Sequence, residues 1–159
     1  MDLNNRTVLV TGAGVRLGQA IAVSLGQQGM NVALHYHQSL EGAKETLGLI
    51  GGDFKQHGCF QADLRQVSEI ELLILQIEAQ LGQIDVLINN AGVYGVPDTV
   101  TGDGLDVRFA VNTIAPYFLT RMLLPLLGTS GRVVNLSSAA QSPVSSEALA
   151  GHGQLSDGE

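Results

Sequence analysis

The sequence predicts an α/β domain built on a doubly wound parallel sheet, with helices on both faces. Short apolar segments rich in β-branched residues alternate with longer segments whose apolar residues recur at helical spacing. This alternation is typical of parallel strands joined by right-handed helical crossovers. Motifs of glycine and polar residues directly follow three of the strands. We therefore expect these motifs to meet at the carboxyl edge of the sheet, where ligands bind in such folds.

The first part of the chain contains strands and helices in alternation. Thr7–Val10 is apolar, β-branched and followed by glycines, which predicts a buried parallel strand. Leu17–Gln28 has apolar residues at helical spacing and a closing glycine, and Asn31–His35 is the next apolar run. Leu40–Ile50 is expected to be a helix that ends at two glycines. Phe54–Phe60 is expected to be a weaker strand, which its internal glycine breaks.

The same alternation continues in the middle of the chain. Gln66–Leu81 carries the clearest apolar helical face, and Ile84–Ile88 is an almost fully apolar strand. Leu105–Leu127 is expected to be a long helix. We expect Pro116 and Pro125 to interrupt it, because proline lacks an amide donor.

The fifth strand is the last one that the pattern predicts. Arg132–Leu136 is that strand, and residues 1–138 make up the single domain. Residues 139–159 are rich in Ser, Gly and Ala, lack any periodic pattern and are expected to be a loop.

Composition limits the class of protein and of partner. The chain has 159 residues, of which 45% are hydrophobic and 14% charged, and this suits one globular domain. Its formal net charge of −7 argues against nucleic acid and anionic membranes as partners. The lone cysteine allows no internal disulfide, and the first residues contain no apolar signal-peptide core. We expect a soluble cytoplasmic protein, and no metal site is predicted.

The glycine-rich turn after the first strand has the features of a phosphate-binding loop. Gly12 permits a tight turn, and Gly18 allows the following helix to pack closely. The N-terminus of that helix, at Leu17, attracts a pyrophosphate through its free amide groups. An ordinary strand-to-helix turn has the same local pattern, so both interpretations remain open for this motif alone.

Three motifs, in this order and spacing, resemble those of the short-chain dehydrogenase/reductase family. They are Thr11-Gly12-Ala13-Gly14-Val15-Arg16-Leu17-Gly18, Asn89-Asn90-Ala91-Gly92 and Asn135-Leu136-Ser137-Ser138. The resemblance runs from Thr7 to about Ser138 and implies a Rossmann-type sheet that binds a nicotinamide dinucleotide. It also implies that Asn90 contacts the cofactor side, where Ala91 and Gly92 let the ribose approach. Arg16 stands where the family pattern has its middle glycine.

The segment after the second strand bears on which cofactor binds. A site that prefers NAD(H) usually has Asp or Glu there, bonded to the ribose 2′-hydroxyl. Here the segment has no acid and reads Leu34-His35-Tyr36-His37-Gln38-Ser39. With the forked cation of Arg16, it resembles the pteridine reductase branch, which implies NADP(H) rather than NAD(H). That branch often has Arg in place of Gln38. The alternative is that His35 and His37 are ordinary strand-end polar residues and Arg16 is solvated.

Two residues that follow the third strand are implied to contact the adenine, and one of them also suits a purely structural role. The resemblance implies that Asp63 bonds the adenine amino group and that Leu64 lines the adenine pocket. Asp63 equally suits an Asx turn or a cap before the next helix, and the two roles are compatible.

The catalytic set that the resemblance implies is incomplete. Ser138 matches the serine that orients the substrate oxygen, and Asn112 matches the helix asparagine that holds a proton-relay water. A Tyr-x-x-x-Lys pair is expected to follow, but Tyr117 and Lys55 are the last tyrosine and lysine of the chain. His152 lies in a glycine-flanked loop, and we do not expect it to replace the missing acid.

Two explanations of that gap stay open. The favoured one is that this is the N-terminal part of an NADP(H)-dependent oxidoreductase, inactive as it stands, whose residues 139–159 lead to the missing catalytic helix. The resemblance then implies a sheet truncated after about the fifth strand. Without the helix that covers it in the family, the last long helix is expected to leave apolar surface uncovered and to self-associate, at Leu119, Met122, Leu123 and Leu126. The full-length enzyme would act on a small carbonyl or alcohol and form a homo-oligomer. The other explanation is a natural NADP(H)-binding sensor without catalysis. The Asn-Asn-Ala-Gly motif disfavours a third class, the nucleotide-sugar epimerases and dehydratases.

Overall fold

The computed structural model describes residues 2–51, 56–138 and 146–149, which form a parallel sheet with helices on both faces. Strands β1 to β5 are, in chain order, Thr7–Val10, Asn31–Tyr36, His57–Gln61, Ile84–Asn89 and Arg132–Asn135. Helices α1 to α6 are, in chain order, Arg16–Gln27, Leu40–Ile50, Val67–Leu81, Val107–Phe109, Ala115–Leu127 and Ser146–Leu149. The strand order is β3-β2-β1-β4-β5, with every neighbouring pair parallel. The predicted doubly wound fold is confirmed.

Each face of the sheet has its own apolar core, because side chains alternate in direction along a strand. Ala22 of α1 and Ile50 of α2 belong to the core on one face. Leu73 of α3 and Leu119 of α5 belong to the core on the other. β1 lies between the two cores with every residue buried, which explains its uninterrupted apolar run.

The internal glycine of β3 does not break that strand, contrary to expectation. Gly58 pairs in register with Ala33 of β2. A β-carbon at Gly58 would lie 2.8 Å from both the Phe60 ring and the Gln80 amide nitrogen. The glycine therefore admits a close approach of α3 and leaves the strand pairing intact.

The two prolines do not interrupt the long helix either, which corrects the second expectation. Pro116 lies in the first turn of α5, and Pro125 lies within it. The irregularity is instead a π-helical turn, Ala110–Ile114, that joins α4 to α5. The amide of Ala115 donates a hydrogen bond to the carbonyl of Ala110, five residues earlier. The backbone hydrogen-bond pattern has therefore already changed at the position where Pro116 lacks an amide donor.

By length and composition alone, the helical stretch Val107–Leu127 is apolar enough to cross a membrane. Leu119 and Leu123 of this stretch are nevertheless fully buried against the sheet, as in the core helix of a globular domain. This burial also corrects the expectation that both leave apolar surface uncovered. Met122 is half-buried, and only Leu126 of the four expected residues is exposed.

Part of the predicted terminal loop is helical. Residues Ser146–Leu149 form the single turn α6, whereas 139–145 and 150–159 lie outside the described residues, as does His152. A serine at the start and a glutamate after it favour a helical turn locally, a signal too short to separate from loop composition.

Candidate cofactor-binding site

A cavity of about 570 Å³ opens at the carboxyl ends of β1 to β4. It contains residues from the turns that follow β1, β2, β3 and β4, and none from the motif at residues 135–138. The predicted site residues that line it are Gly12, Arg16, Leu17, Gly18, His35, His37, Gln38, Ser39, Asp63, Leu64, Asn90, Ala91 and Gly92. Tyr36, Asn112 and Ser138 are not among the residues that line it. The fold thus brings most of the predicted cofactor residues together.

The glycine turn between β1 and α1 is held by close backbone contacts. Gly12 has a φ of +65°, the left-handed region that glycine adopts without strain. A β-carbon at Gly18 would collide with the carbonyl oxygen of Gly12, so the helix approaches the turn more closely than any side chain allows. No side chain caps α1, which leaves its first amides for a ligand. This cradle fits a dinucleotide pyrophosphate.

Arg16 also has a left-handed backbone, with a φ of +53°. This conformation explains why a glycine would be suited to the position. A β-carbon there is crowded by the following carbonyl, at a cost of roughly 1–2 kcal/mol. Arg16 is exposed at the mouth of the cavity. The chain thus places a guanidinium at this mouth even though the backbone that carries it is locally strained.

The start of α2 packs directly on the glycine turn. Thr46 Oγ1 donates a hydrogen bond of 3.1 Å to the carbonyl of Ala13. A β-carbon at Gly14 would lie 3.1 Å from the carbonyl oxygen of Ser39. Gln38 and Ser39 are consequently exposed at the same mouth as Arg16.

His35 borders the cavity, but both of its ring nitrogens have protein partners. Nδ1 accepts a hydrogen bond of 3.1 Å from the amide of Gly12. Nε2 lies 3.1 Å from the carbonyl of Ala62. Burial lowers the pKa of the imidazole to about 4, so the ring is neutral near pH 7. Both ring nitrogens thus have protein partners, and the expected contact of His35 with the cofactor stays a prediction.

Tyr36 is not among the residues that line the cavity, and its expected contact with the cofactor stays a prediction. Successive strand residues point to opposite faces, so Tyr36 points to the face covered by α1 and α2. It is buried there. His37, the next residue, again borders the cavity and is partly exposed.

Asp63 forms an ion pair with Arg65, a residue that no sequence motif singled out. The guanidinium donates to both carboxylate oxygens, with distances of 2.9, 2.9 and 2.7 Å. The Arg65 amide also donates to Asp63 Oδ1 at 3.0 Å, which closes the expected Asx turn. The expected helix cap is not formed, since α3 is capped by Gln66 without a side-chain bond.

The charge of Arg65 largely neutralises the carboxylate of Asp63 at the end of β3. Burial alone would raise the pKa of Asp63, but the hydrogen bonds and charge of Arg65 outweigh it and hold that pKa below its ordinary value. His37 Nε2 lies 3.9 Å from Asp63 Oδ2. The sequence signal for this pair is an aspartate, Asp63, that is followed two residues later by a basic residue, Arg65.

The Asn-Asn-Ala-Gly turn links three strands. The Asn90 side-chain amide donates to the carbonyls of Thr11 at 2.8 Å and Gly12 at 3.2 Å. Asn89 Nδ2 donates to Asn135 Oδ1 at 2.8 Å, which joins the ends of β4 and β5. Asn90 therefore holds the glycine turn with its amide, and the small residue Ala91 leaves room on the cavity side.

Asn112 and Ser138, the predicted catalytic residues, lie beyond the residues that line the cavity. Asn112, in the π-helical turn, accepts from the amide of Val93 at 2.8 Å and donates to its carbonyl at 2.9 Å. This pair of bonds anchors the segment that follows Gly92. Ser138 is exposed just after β5. Their chemical roles stay predictions.

The segment after Gly92 supplies further lining residues. Val93, Val96, Pro97 and Asp98 border the cavity, whereas Tyr94 is exposed. This segment lies beside the cavity because it directly follows the Asn-Asn-Ala-Gly turn at the end of β4. Within residues 2–51, 56–138 and 146–149, no group of three His, Cys, Asp or Glu side chains has the arrangement of a metal site.

Similar proteins were found by sequence. The family model described as short chain dehydrogenase matches residues 6–149. Short chain dehydrogenase claC of Passalora fulva is 34% identical over 138 residues, covering 86% of this chain and 52% of that protein. Versicolorin reductase stcU of Emericella nidulans is 35% identical over 138 residues, with the same coverage of 86% and 52%. The chain spans about half the length of the curated relatives it matches.

Solved structures agree with these matches. The angucycline C-6 ketoreductase LanV with bound NADP is 34% identical, with a TM-score of 0.72 over 86% of this chain and 56% of LanV. A short chain dehydrogenase from Burkholderia cenocepacia in complex with NADP is 28% identical, with a TM-score of 0.78 over 95% of this chain and 63% of that one. Taken with the sheet order and the three motifs at one edge, the match over residues 6–149 shows that this chain belongs to the short-chain dehydrogenase family.

Proposed function

We propose that this chain binds NADP(H) in the cavity, and that the protein is an oxidoreductase acting on a small carbonyl or alcohol. The observation that carries the cofactor assignment is the chemistry of the cavity mouth. Arg16 shares that mouth with His37, Gln38 and Ser39, and no carboxylate follows β2 there. A 2′-phosphate meets a cation and hydrogen-bond donors at such a site.

Asp63 and Asp98 also line the cavity, and the carboxylate of Asp63 does not oppose this assignment. Asp63 is paired with Arg65 through both of its oxygens, so its charge is largely neutralised. Leu64 provides an apolar wall beside it. The uncapped first turn of α1 suits the pyrophosphate, and Ala91 and Gly92 leave space for a ribose. NADP or NADPH bound to structural relatives supports the same cofactor.

Bound NADPH would supply the hydride of the reaction. Among residues of this chain, we assign Ser138 to hold the substrate oxygen, as its motif implies. Asn112 keeps the segment after Gly92 in place through its two bonds to Val93. The relatives named as reductases favour this enzymatic assignment over a non-catalytic sensor.

The test of the cofactor assignment is a titration with NADPH and NADH. Arg16→Ala removes a charge-assisted contact worth about 1.5–3 kcal/mol, so NADPH affinity should fall about tenfold or more. NADH affinity should change little, because NADH lacks the 2′-phosphate. Arg121→Ala, which removes the same charge from the exposed side of α5, is the control and should change neither. Equal losses for both cofactors in Arg16→Ala would refute the assignment.

Turnover is tested on the same protein. We expect the 159-residue chain to bind NADPH without consuming it in the presence of small ketones, because no tyrosine or lysine follows Ser138. The measurement is loss of NADPH absorbance. Ketone-dependent consumption that disappears in Ser138→Ala would contradict this expectation and give the chain a complete catalytic set.

A further inference from the structure

We propose that His35 is a positioning residue for cofactor binding, because its imidazole fixes the amide of Gly12 and thereby the shape of the phosphate-binding turn. The proposal rests on the assignment of this cavity to NADP(H). It gives His35 a role separate from the 2′-phosphate contacts assigned to Arg16 and the residues after β2.

His35 connects three strand ends at one point. Its Nδ1 accepts from the Gly12 amide at 3.1 Å, and its backbone carbonyl accepts from the Ala13 amide at 2.9 Å. Its Nε2 lies 3.1 Å from the Ala62 carbonyl at the end of β3. The residue is 2% exposed, so water does not compete for these bonds.

One tautomer of the ring satisfies both partners. An amide can only donate, so Nδ1 must carry a lone pair facing Gly12, and a carbonyl can only accept, so Nε2 must carry the hydrogen facing Ala62. A protonated ring would place a hydrogen against the Gly12 amide. The ionisable side chains that act on the pKa of the ring are His37 and Asp63, in opposite directions.

The turn is therefore held on both sides of Gly12. The His35 ring accepts a hydrogen bond from the amide of Gly12, and the Asn90 side chain donates one to the carbonyl of Gly12 at 3.2 Å. These bonds hold the residue at its φ of +65°. The ring of His35 occupies the amide of Gly12, and its backbone carbonyl occupies the amide of Ala13. A pyrophosphate is therefore left with the uncapped amides of the first turn of α1. Loss of the Gly12 bond should let the turn relax and misplace those amides.

Two near-isosteric variants separate positioning from mere support of the fold. In His35→Asn the amide oxygen takes the place of Nδ1 and keeps an acceptor for Gly12, but the donor to Ala62 is lost. In His35→Gln the amide nitrogen takes the place of Nε2 and keeps the donor to Ala62, but the acceptor for Gly12 is lost. Each variant thus removes one buried hydrogen bond, and urea unfolding measures how far their stabilities match.

The expected result is a difference in NADPH affinity between the two variants. His35→Gln should bind NADPH about tenfold more weakly than wild type, and His35→Asn within about threefold. Losses that follow the unfolding free energies, with no preference for His35→Asn, would overturn the proposal and leave His35 a structural residue.

A second measurement needs neither the cofactor nor a folded variant. Nitrogen NMR of the wild-type ring should report hydrogen on Nε2 and none on Nδ1 at pH 7, and the Gly12 amide should exchange slowly with solvent. A ring with hydrogen on Nδ1, or a fast-exchanging Gly12 amide, would overturn the proposal. If wild type fails to bind NADPH while these NMR results hold, the cofactor assignment fails and the ordering of the turn by His35 stands.

Discussion

Arg16 illustrates how one residue can carry both a local strain and a functional group. Its left-handed backbone is one that glycine adopts freely, whereas an arginine is crowded by its β-carbon. The sequence identified the departure from the glycine pattern but could not tell that the backbone stays in the glycine conformation. That was decided by the packing of Gly12, Gly18 and the start of α2 around the turn.

Replacement of Arg16 by glycine should therefore separate stability from cofactor preference. We expect Arg16→Gly to be about 1 kcal/mol more stable than wild type, because the strained β-carbon is removed. The same variant should lose its preference for NADPH. Urea unfolding and cofactor titration measure the two effects. Arg16→Ala keeps the β-carbon and should show only the second. Equal stability of the glycine and alanine variants would mean that the backbone strain is negligible.

Other residues of the site show where the interpretation of single positions succeeds and where it fails. His35 and Tyr36 are adjacent in a motif, yet they lie on opposite faces of β2, and only His35 borders the cavity. Arg65 was missed because an arginine in an Asx turn is unremarkable until its carboxylate partner is found beside a cavity. The identity of a residue indicates its chemistry, but the face on which it lies depends on strand register.

At the scale of the element, the sequence located strands and helices well but misjudged irregularities within them. Pro116 suggested a break, but the chain forms a π-helical turn before it and remains helical. Gly58 suggested a break in β3, but pairing with β2 and packing of α3 hold the strand in register. Hydrogen bonds and packing from neighbouring elements outweigh local propensities of about 1–3 kcal/mol.

The two faces of α5 give a prediction at this scale. Leu123 is fully buried in the core, whereas its neighbour Leu124 is 58% exposed. Leu123→Ala should destabilise the protein by about 2–5 kcal/mol, because it leaves a cavity. Leu124→Ala should change stability by no more than about 0.5 kcal/mol. Both are measured by urea unfolding. A similar cost for both would mean that α5 presents a different face to the sheet.

For the whole molecule, stability should depend on pH through the buried His35. Its pKa is lowered from 6.5 to about 4 in the folded state, first of all by burial. The unfolded chain therefore binds a proton between these values that the folded protein does not. The contribution of His35 to stability is fully present above pH 6.5 and is lost as the pH falls towards 4. The loss amounts to about 3 kcal/mol, because a tenfold change in proton concentration corresponds to about 1.4 kcal/mol.

Urea unfolding of wild type and His35→Asn between pH 7 and 4 measures this contribution. The variant should lack the decrease due to the imidazole, while both proteins keep the further decrease at lower pH from carboxylates. Asp106 is one of these, since its hydrogen bond from Arg108 lowers the pKa of its carboxyl below 3.8. Identical pH profiles for the two proteins between pH 6.5 and 4 would show that another group dominates this range.

The sequence by itself determined the α/β class, the positions of the strands, and the three motifs that identify the family. These follow from local chemistry: apolar periodicity, turn-forming glycines and fixed short spacings. The tertiary structure alone decided that Arg16 and Ser39 share a cavity mouth, that Arg65 neutralises Asp63, and that the tautomer of His35 is set by Gly12. The physical reason is that these contacts depend on strand ends far apart in the chain, so they form a site only once the sheet has placed those ends side by side.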